Sequence, residues 1–254
     1  MQLRWVRFLE GATVRFGTLE GERVRLWHGD MFEYPQRGDR TVPLADVRLL
    51  TPVQPSKVIA LWNNFKALGE KLNLAAPEEP LYLIKTPNSY LEPGGTIRHP
   101  GTGKVVYEGE LGIVIGKRCK QVSEDEAMAH VFGYTCANDV TVADILNRDA
   151  SFAQWSRAKG FDTFCPFGPA VATGLDPARL TVRTLLDGVV RQDYPISDMR
   201  FSVAQLVSLI SQDMTLLPGD ILLCGTSVGV GSMKPGCTVE VEIAGIGRLT
   251  NRLQ

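Results

Sequence analysis

The chain has no long apolar run, no excess of either charge and no closely spaced cysteines, and each absence removes a class of protein. No stretch approaches the roughly 20 apolar residues that a membrane-crossing helix needs, and Met1-Gln2-Leu3-Arg4-Trp5 lacks the apolar centre of a secretory leader. A cytoplasmic protein is expected. The 27 Lys and Arg balance 28 Asp and Glu, for a formal net charge of −1, so no whole-chain field favours a nucleic acid or a membrane surface. The expected partner is a small molecule. Cys119, Cys136, Cys165, Cys224 and Cys237 are odd in number, widely spaced and form no CxxC pair, which argues against a disulfide framework or structural zinc. His28, His99 and His130 lack ligand spacing.

What is present is a globular composition, 44% hydrophobic and 22% charged over 254 residues, enough for one sizeable core with a small appendage. Runs at 3–8, 12–16 and 22–27, separated by Glu-Gly and Gly-Glu, predict a small antiparallel meander. Pro52 and Pro55 follow an apolar stretch, placing a boundary near Thr51, with a β-rich appendage over 1–50 and the main unit over 51–254. Strand-like runs then dominate at 57–62, 81–85, 111–116, 131–137, 170–173, 221–224 and 238–243. Two helices are signalled by capping-box spacing, Ser123 to Glu126 and Ser202 to Gln205, the second followed by Val203, Leu206, Val207 and Ile210 at helical spacing. The expected class is α+β, mainly β.

Tyr107-Glu108-Gly109-Glu110-Leu111 sets two glutamates two apart, just ahead of an apolar strand. Residues i and i+2 share a strand face, and two like charges leading into a buried stretch resist desolvation unless a cation lies between them. Alone, the pair reads rather as an exposed strand edge, as in Val239-Glu240-Val241-Glu242. Asp139, directly after the 131–137 run, adds a third carboxylate at a strand end. Three carboxylates form a hard oxygen site, suited to Mg²⁺ or Mn²⁺, with Ca²⁺ as a substitute.

The order of these motifs is more specific than their chemistry. The Glu-x-Glu strand, Asn138-Asp139-Val140-Thr141, Ala158-Lys159-Gly160-Phe161-Asp162 and Cys224-Gly225-Thr226 together resemble the fumarylacetoacetate hydrolase family across 57–254. That resemblance implies Glu108, Glu110 and Asp139 as metal ligands and Lys159 as an active-site lysine. It also implies that Gly225 and Thr226 lie near a substrate carboxylate, that the core is a mixed β-sandwich roll and that the chain forms a homodimer. The 142–159 connection, with Phe152 and Trp155, reads as a lid or as a surface loop.

Two departures from the family bear on the reaction. Many members carry a histidine and, three residues later, a glutamate that activate a water; here Lys66 stands at the histidine position and Glu70 one residue beyond the glutamate position. Lysine in its ordinary protonated state takes no proton from water. Asp144-Ile145-Leu146 also lacks a glutamine found in relatives that attack acylpyruvates. Decarboxylation and keto–enol isomerisation need no activated water, only stabilisation of an enolate, with Lys66 and Lys159 as available cations. The expected function is therefore metal-dependent decarboxylation or isomerisation of a small 2-oxo diacid from aromatic catabolism. An acylpyruvate hydrolase using Glu70 and a non-catalytic 2-oxo-acid-binding protein are the alternatives.

Overall fold

A computed structural model describes residues 2–254. Its largest element is a 12-stranded sheet whose main path runs Gln36–Pro43, Arg23–His28, Thr13–Glu20, Arg4–Glu10, Cys165–Ala172, Val131–Asn138, Gly109–Ile115, Ile221–Leu223, Val58–Trp62, Leu81–Lys85. A 5-stranded sheet runs Val189–Pro195, Thr181–Leu186, Thr238–Ile243, Gly247–Leu253, Thr96–Ile97, and a 3-stranded sheet joins Thr141–Val142, Val105–Tyr107 and Gly231–Ser232. The class is mainly β, as the sequence predicts.

One core cluster combines Leu111, Ile113 and Ile115 of the large sheet with Val182, Val241, Ile243 and Leu249 of the 5-stranded sheet. The sheets therefore share an interior, which the Val203–Asp213 helix seals with Val203, Leu206, Val207 and Ile210. Each such side chain contributes roughly 1.5–3 kcal/mol on full burial. Ser202 and Gln205 form the expected capping box at that helix, and Ser123 with Glu126 forms the other, ahead of a single turn at Glu124–Ala127.

The amino-terminal meander continues the core sheet: Arg4 pairs with Ala172 and Trp5 with Val171. It also holds a strand that sequence periodicity misses, Gln36–Pro43. Nearly all of that strand is at least partly exposed, so it carries no apolar alternation, and its arginines and glycine read as a loop. It is an edge strand, where charge and proline discourage pairing with other chains. The Gly247–Leu253 strand and the Thr181–Leu186 and Val189–Pro195 hairpin are further omissions; the hairpin has a trace in the sequence. Its signal is Asp187-Gly188, both at positive φ, 51° and 77°, the backbone that a tight two-residue hairpin turn requires.

All five cysteines are free and buried. Among the described residues no helix is long and apolar enough to cross a membrane.

Candidate metal centre

The triad arises from strand pairing. Gly109 opposes Asn138 and Glu110 opposes Ala137 in the antiparallel register of Gly109–Ile115 with Val131–Asn138. The next residues outward are Glu108 and Asp139, tied by Asp139 N–H donating to the Glu108 carbonyl at 2.9 Å. The Asn138 side-chain oxygen accepts from Glu108 N–H at 2.9 Å. The predicted single strand is interrupted: Val105–Tyr107 belongs to the 3-stranded sheet and Gly109–Ile115 to the large one, and Glu108 stands at the crossing. The carboxylates nevertheless converge, each placing an oxygen within 4.8 Å of the others. All three are buried, Glu110 completely. Glu240 and Glu242, with the same spacing, instead reach Arg248 on the surface.

Two buried lysines brace the cluster. Lys159 Nζ donates to Glu108 Oε2 at 2.8 Å, Asp139 Oδ2 at 2.6 Å and Thr141 Oγ1 at 2.7 Å, which uses all three of its N–H groups. Lys85 Nζ donates to Asp139 Oδ1 at 2.5 Å and to the Lys159 carbonyl at 2.7 Å. Sequence reasoning gave Lys85 no role. Its signal was a lysine closing the apolar run Leu81-Tyr82-Leu83-Ile84, where a buried charge requires a partner.

Three carboxyl groups thus face two ammonium groups, so full ionisation would leave one negative charge uncompensated, and it would fall on Glu110, which bonds to neither lysine among the described residues. Its Oε2 accepts from Gly225 N–H at 2.8 Å, while its Oε1 is buried without a hydrogen-bond partner among the described residues. Burial, then the neighbouring Asp139 and Glu108 charges, hold the Glu110 carboxyl well above the usual carboxylate range. Burial likewise pushes Glu108 up, against the pull of Lys159. Burial also opposes ionisation of Asp139, but Lys159 and Lys85 outweigh it and its pKa falls below the ordinary value. Lys159 is held protonated: burial lowers its pKa, and Asp139, Glu108 and Glu110 more than reverse that.

A hard divalent cation fits this arrangement. The donors are all oxygen, one carboxylate oxygen is orphaned, and the carboxyl groups outnumber the lysines that face them. Glu108, Glu110 and Asp139 are the residues that would hold it.

The remaining predicted residues divide into two groups. Gly225 and Thr226 adjoin the cluster: Gly225, at φ 86°, gives its N–H to Glu110, and Thr226 Oγ1 donates to the Gly109 carbonyl at 3.1 Å. Next to them Ser227 Oγ is buried without a partner among the described residues. Lys66 and Glu70 lie apart, exposed on the short Lys66–Lys71 helix, and among the described residues neither side chain forms a hydrogen bond or ion pair with the triad.

The 142–159 connection folds as two short helices, Ala143–Leu146 and Trp155–Lys159. Phe152 between them is 71% exposed. Trp155 packs on Trp62 with ring centroids 5.0 Å apart, and the pair borders a cleft of about 380 Å³ with Pro80, Leu81, Tyr82 and Leu83. Two of the elements that line this cleft end in a lysine of the cluster, Leu81–Lys85 in Lys85 and Trp155–Lys159 in Lys159.

A mainly β fold closed around three lysine-braced carboxylates defines the general class, a protein with a buried oxygen-donor cluster that could hold a hard cation. The chain belongs to the fumarylacetoacetate hydrolase family: residues 57–254 match the family described as fumarylacetoacetate (FAA) hydrolase C-terminal, and residues 3–52 match an Rv2993c-like N-terminal region. A solved 2-hydroxyhepta-2,4-diene-1,7-dioate isomerase from Mycobacterium marinum is similar at TM-score 0.91 and 40% identity, covering 99% of this chain and 98% of that one. The 4-hydroxyphenylacetate degradation bifunctional isomerase/decarboxylase of Salmonella dublin is 38% identical over 200 residues, 77% of this chain and 46% of that protein. Maleylpyruvate hydrolase from a Sphingobium species, solved in complex with manganese(II) ion and pyruvate, is similar at TM-score 0.81 and 26% identity, covering 98% of each chain.

Proposed function

We propose that this chain is a divalent-metal-dependent isomerase or decarboxylase of a small 2-oxo diacid, working through an enolate. The observation that carries this reading is the buried convergence of three carboxyl groups on two lysines, with Glu110 Oε1 left without a partner among the described residues. With all three carboxylates ionised, a divalent ion would turn the single excess negative charge into a single positive one, which the carboxylate of one 2-oxo acid offsets. When bound, the ion would supply Lewis acidity toward the substrate's keto and carboxylate oxygens. Family membership, the isomerase and isomerase/decarboxylase relatives and the pyruvate complex of a hydrolase relative support the substrate class.

The chain's own residues have distinct parts in this reading. Lys159, held protonated by three carboxylates, cannot serve as a base and instead places positive charge beside an oxygen that becomes negative. Lys85 fixes Asp139 and the carboxyl end of the Trp155–Lys159 helix through the Lys159 carbonyl. The Trp62–Trp155 cleft, bordered by elements that end in Lys85 and Lys159, is the place this reading gives to the remainder of the substrate. Lys66 stands at the family's histidine position, and among the described residues neither it nor Glu70 bonds to the cluster, so this reading favours enolate chemistry over hydrolysis.

The test is product analysis with Mn²⁺ present. Oxaloacetate, 2-hydroxyhepta-2,4-diene-1,7-dioate and fumarylpyruvate are supplied in turn, and carbon dioxide, tautomer absorbance and pyruvate are followed. Isomerised diacid or released carbon dioxide, lost with EDTA, is the expected result. Cleavage of fumarylpyruvate to two acids as the main activity would instead establish a hydrolase and overturn the reading.

A further inference from the structure

We propose that Gln192 and Tyr194 are positioning residues for the metal centre, clamping the Gly109 peptide that joins Glu108 to Glu110 and so keeping two like-charged carboxylates convergent. The proposal rests on the metal reading above and adds a determinant from a different sheet. Gly109 N–H donates to Gln192 Oε1 at 3.0 Å. The Gly109 carbonyl accepts from the Tyr194 hydroxyl at 2.5 Å and from Thr226 Oγ1 at 3.1 Å. The N–H and the carbonyl belong to the two peptide groups that flank Gly109, and rotating either one, the motion that would swing Glu108 and Glu110 apart, breaks its bonds.

A clamp is needed at this point for two reasons. Glu108 sits where the chain leaves the 3-stranded sheet for the large sheet, so it lies outside both regular strands. The two carboxylates also repel each other, and burial strengthens the repulsion. The hairpin packs directly on the peptide: a Cβ at position 109 would lie 1.9 Å from Thr184 Oγ1, so glycine is required there. Gln192 and Tyr194 alternate as the buried positions of an otherwise exposed strand, the period-2 placement that aims both side chains inward. Burial, together with nearby Glu110, pushes the Tyr194 hydroxyl well above its usual pKa, so it stays a donor.

Gln192 also ties the ligand strand to the neighbouring loop. Its Nε2 donates to Thr226 Oγ1 at 2.8 Å and to the Ser227 carbonyl at 3.2 Å. One amide therefore connects the peptide between two ligands with the loop whose Gly225 N–H holds Glu110.

The experiment compares wild type, Gln192→Leu and Tyr194→Phe after metal removal, measuring Mn²⁺ affinity by calorimetry and the metal-free melting temperature. Outer-shell support of this kind is worth on the order of 10–100-fold in metal affinity, and a loss of that size in both variants is expected. Unchanged Mn²⁺ affinity beside a lowered metal-free melting temperature would show a purely structural role and overturn the clamp. Should Gln192→Leu fail to fold, Tyr194→Phe, which lacks a single oxygen, decides by the same criterion. If wild type itself takes up no Mn²⁺, the metal reading falls and takes the clamp with it; variants binding as tightly as a competent wild type overturn the clamp alone.

Discussion

Glu110→Gln should raise the melting temperature of the metal-free protein while abolishing its response to Mn²⁺. The wild-type carboxyl is fully buried, its Oε1 has no partner among the described residues, and once ionised it carries the charge that the two lysines leave uncompensated. A glutamine keeps an oxygen for Gly225 N–H and turns the orphaned position into an amide donor facing the Asp139 and Glu108 carboxylates. An unsatisfied buried charge costs upward of about 1–3 kcal/mol, so the expected gain is on that order. Metal affinity should fall by more than the roughly 10–100-fold that outer-shell changes cost, because a direct ligand is lost. The gain should depend on pH in a defined direction. Because the folded-state pKa of Glu110 lies well above the ordinary glutamate value of 4.5, the metal-free wild type loses stability as pH rises from that value through the folded pKa. The advantage of glutamine is therefore full above the folded pKa and shrinks in acid, where Glu110 is itself neutral. Thermal melts with EDTA and with Mn²⁺ across this range check the prediction. A metal-free variant less stable than wild type at neutral pH would contradict it.

Lys159→Met should have the opposite effect on the metal-free protein. Nζ bridges Glu108, Asp139 and Thr141 in the interior, and its removal leaves three buried carboxylates against Lys85 alone. Breaking a buried ion pair from one side costs about 3–5 kcal/mol, a large part of the roughly 5–15 kcal/mol that holds a domain folded. A divalent cation would restore much of the missing positive charge, so the Mn²⁺-induced rise in melting temperature should be larger in Lys159→Met than in wild type. Turnover should nevertheless be lost, because the fixed positive charge beside the reacting oxygens is gone. Paired calorimetric scans with EDTA and Mn²⁺ read the first effect and a steady-state assay the second. A metal-free Lys159→Met as stable as wild type would show that the lysine does not neutralise the cluster.

The contrast between these variants shows how far the sequence could lead. Glu108, Glu110 and Asp139 were legible because like charges entering a buried stretch have few physical explanations, and the resemblance then fixed their order. Their convergence across a break between two sheets was not legible, since a strand crossing looks in sequence like one continuous strand. Lys85 was hidden at the end of an apolar run that reads equally well as an edge strand with a solvated tip. Gln192 and Tyr194 were hidden because an outward-facing hairpin strand with two buried polar side chains has no hydrophobic period. The Asp187-Gly188 turn was their one visible trace. The principal strands and the Val203–Asp213 helix were legible for the usual reason that burial imposes period 2 or 3.6 on apolar residues. The exposed Gln36–Pro43 strand has no such pattern because its pairing with Arg23–His28 leaves most of it facing water.

The central claim is that this buried cluster, loaded with a divalent ion, promotes enolisation next to a keto group. Its most direct test is exchange of the C3 hydrogens of oxaloacetate in D₂O, followed by NMR with wild-type protein in Mg²⁺, since paramagnetic Mn²⁺ would broaden the signals. Exchange well above the buffer background, removed by EDTA and absent in Glu108→Ala, is the expected result. Background exchange by protein shown to hold its metal and to bind the 2-oxo acid would contradict the claim and leave a binding protein in its place.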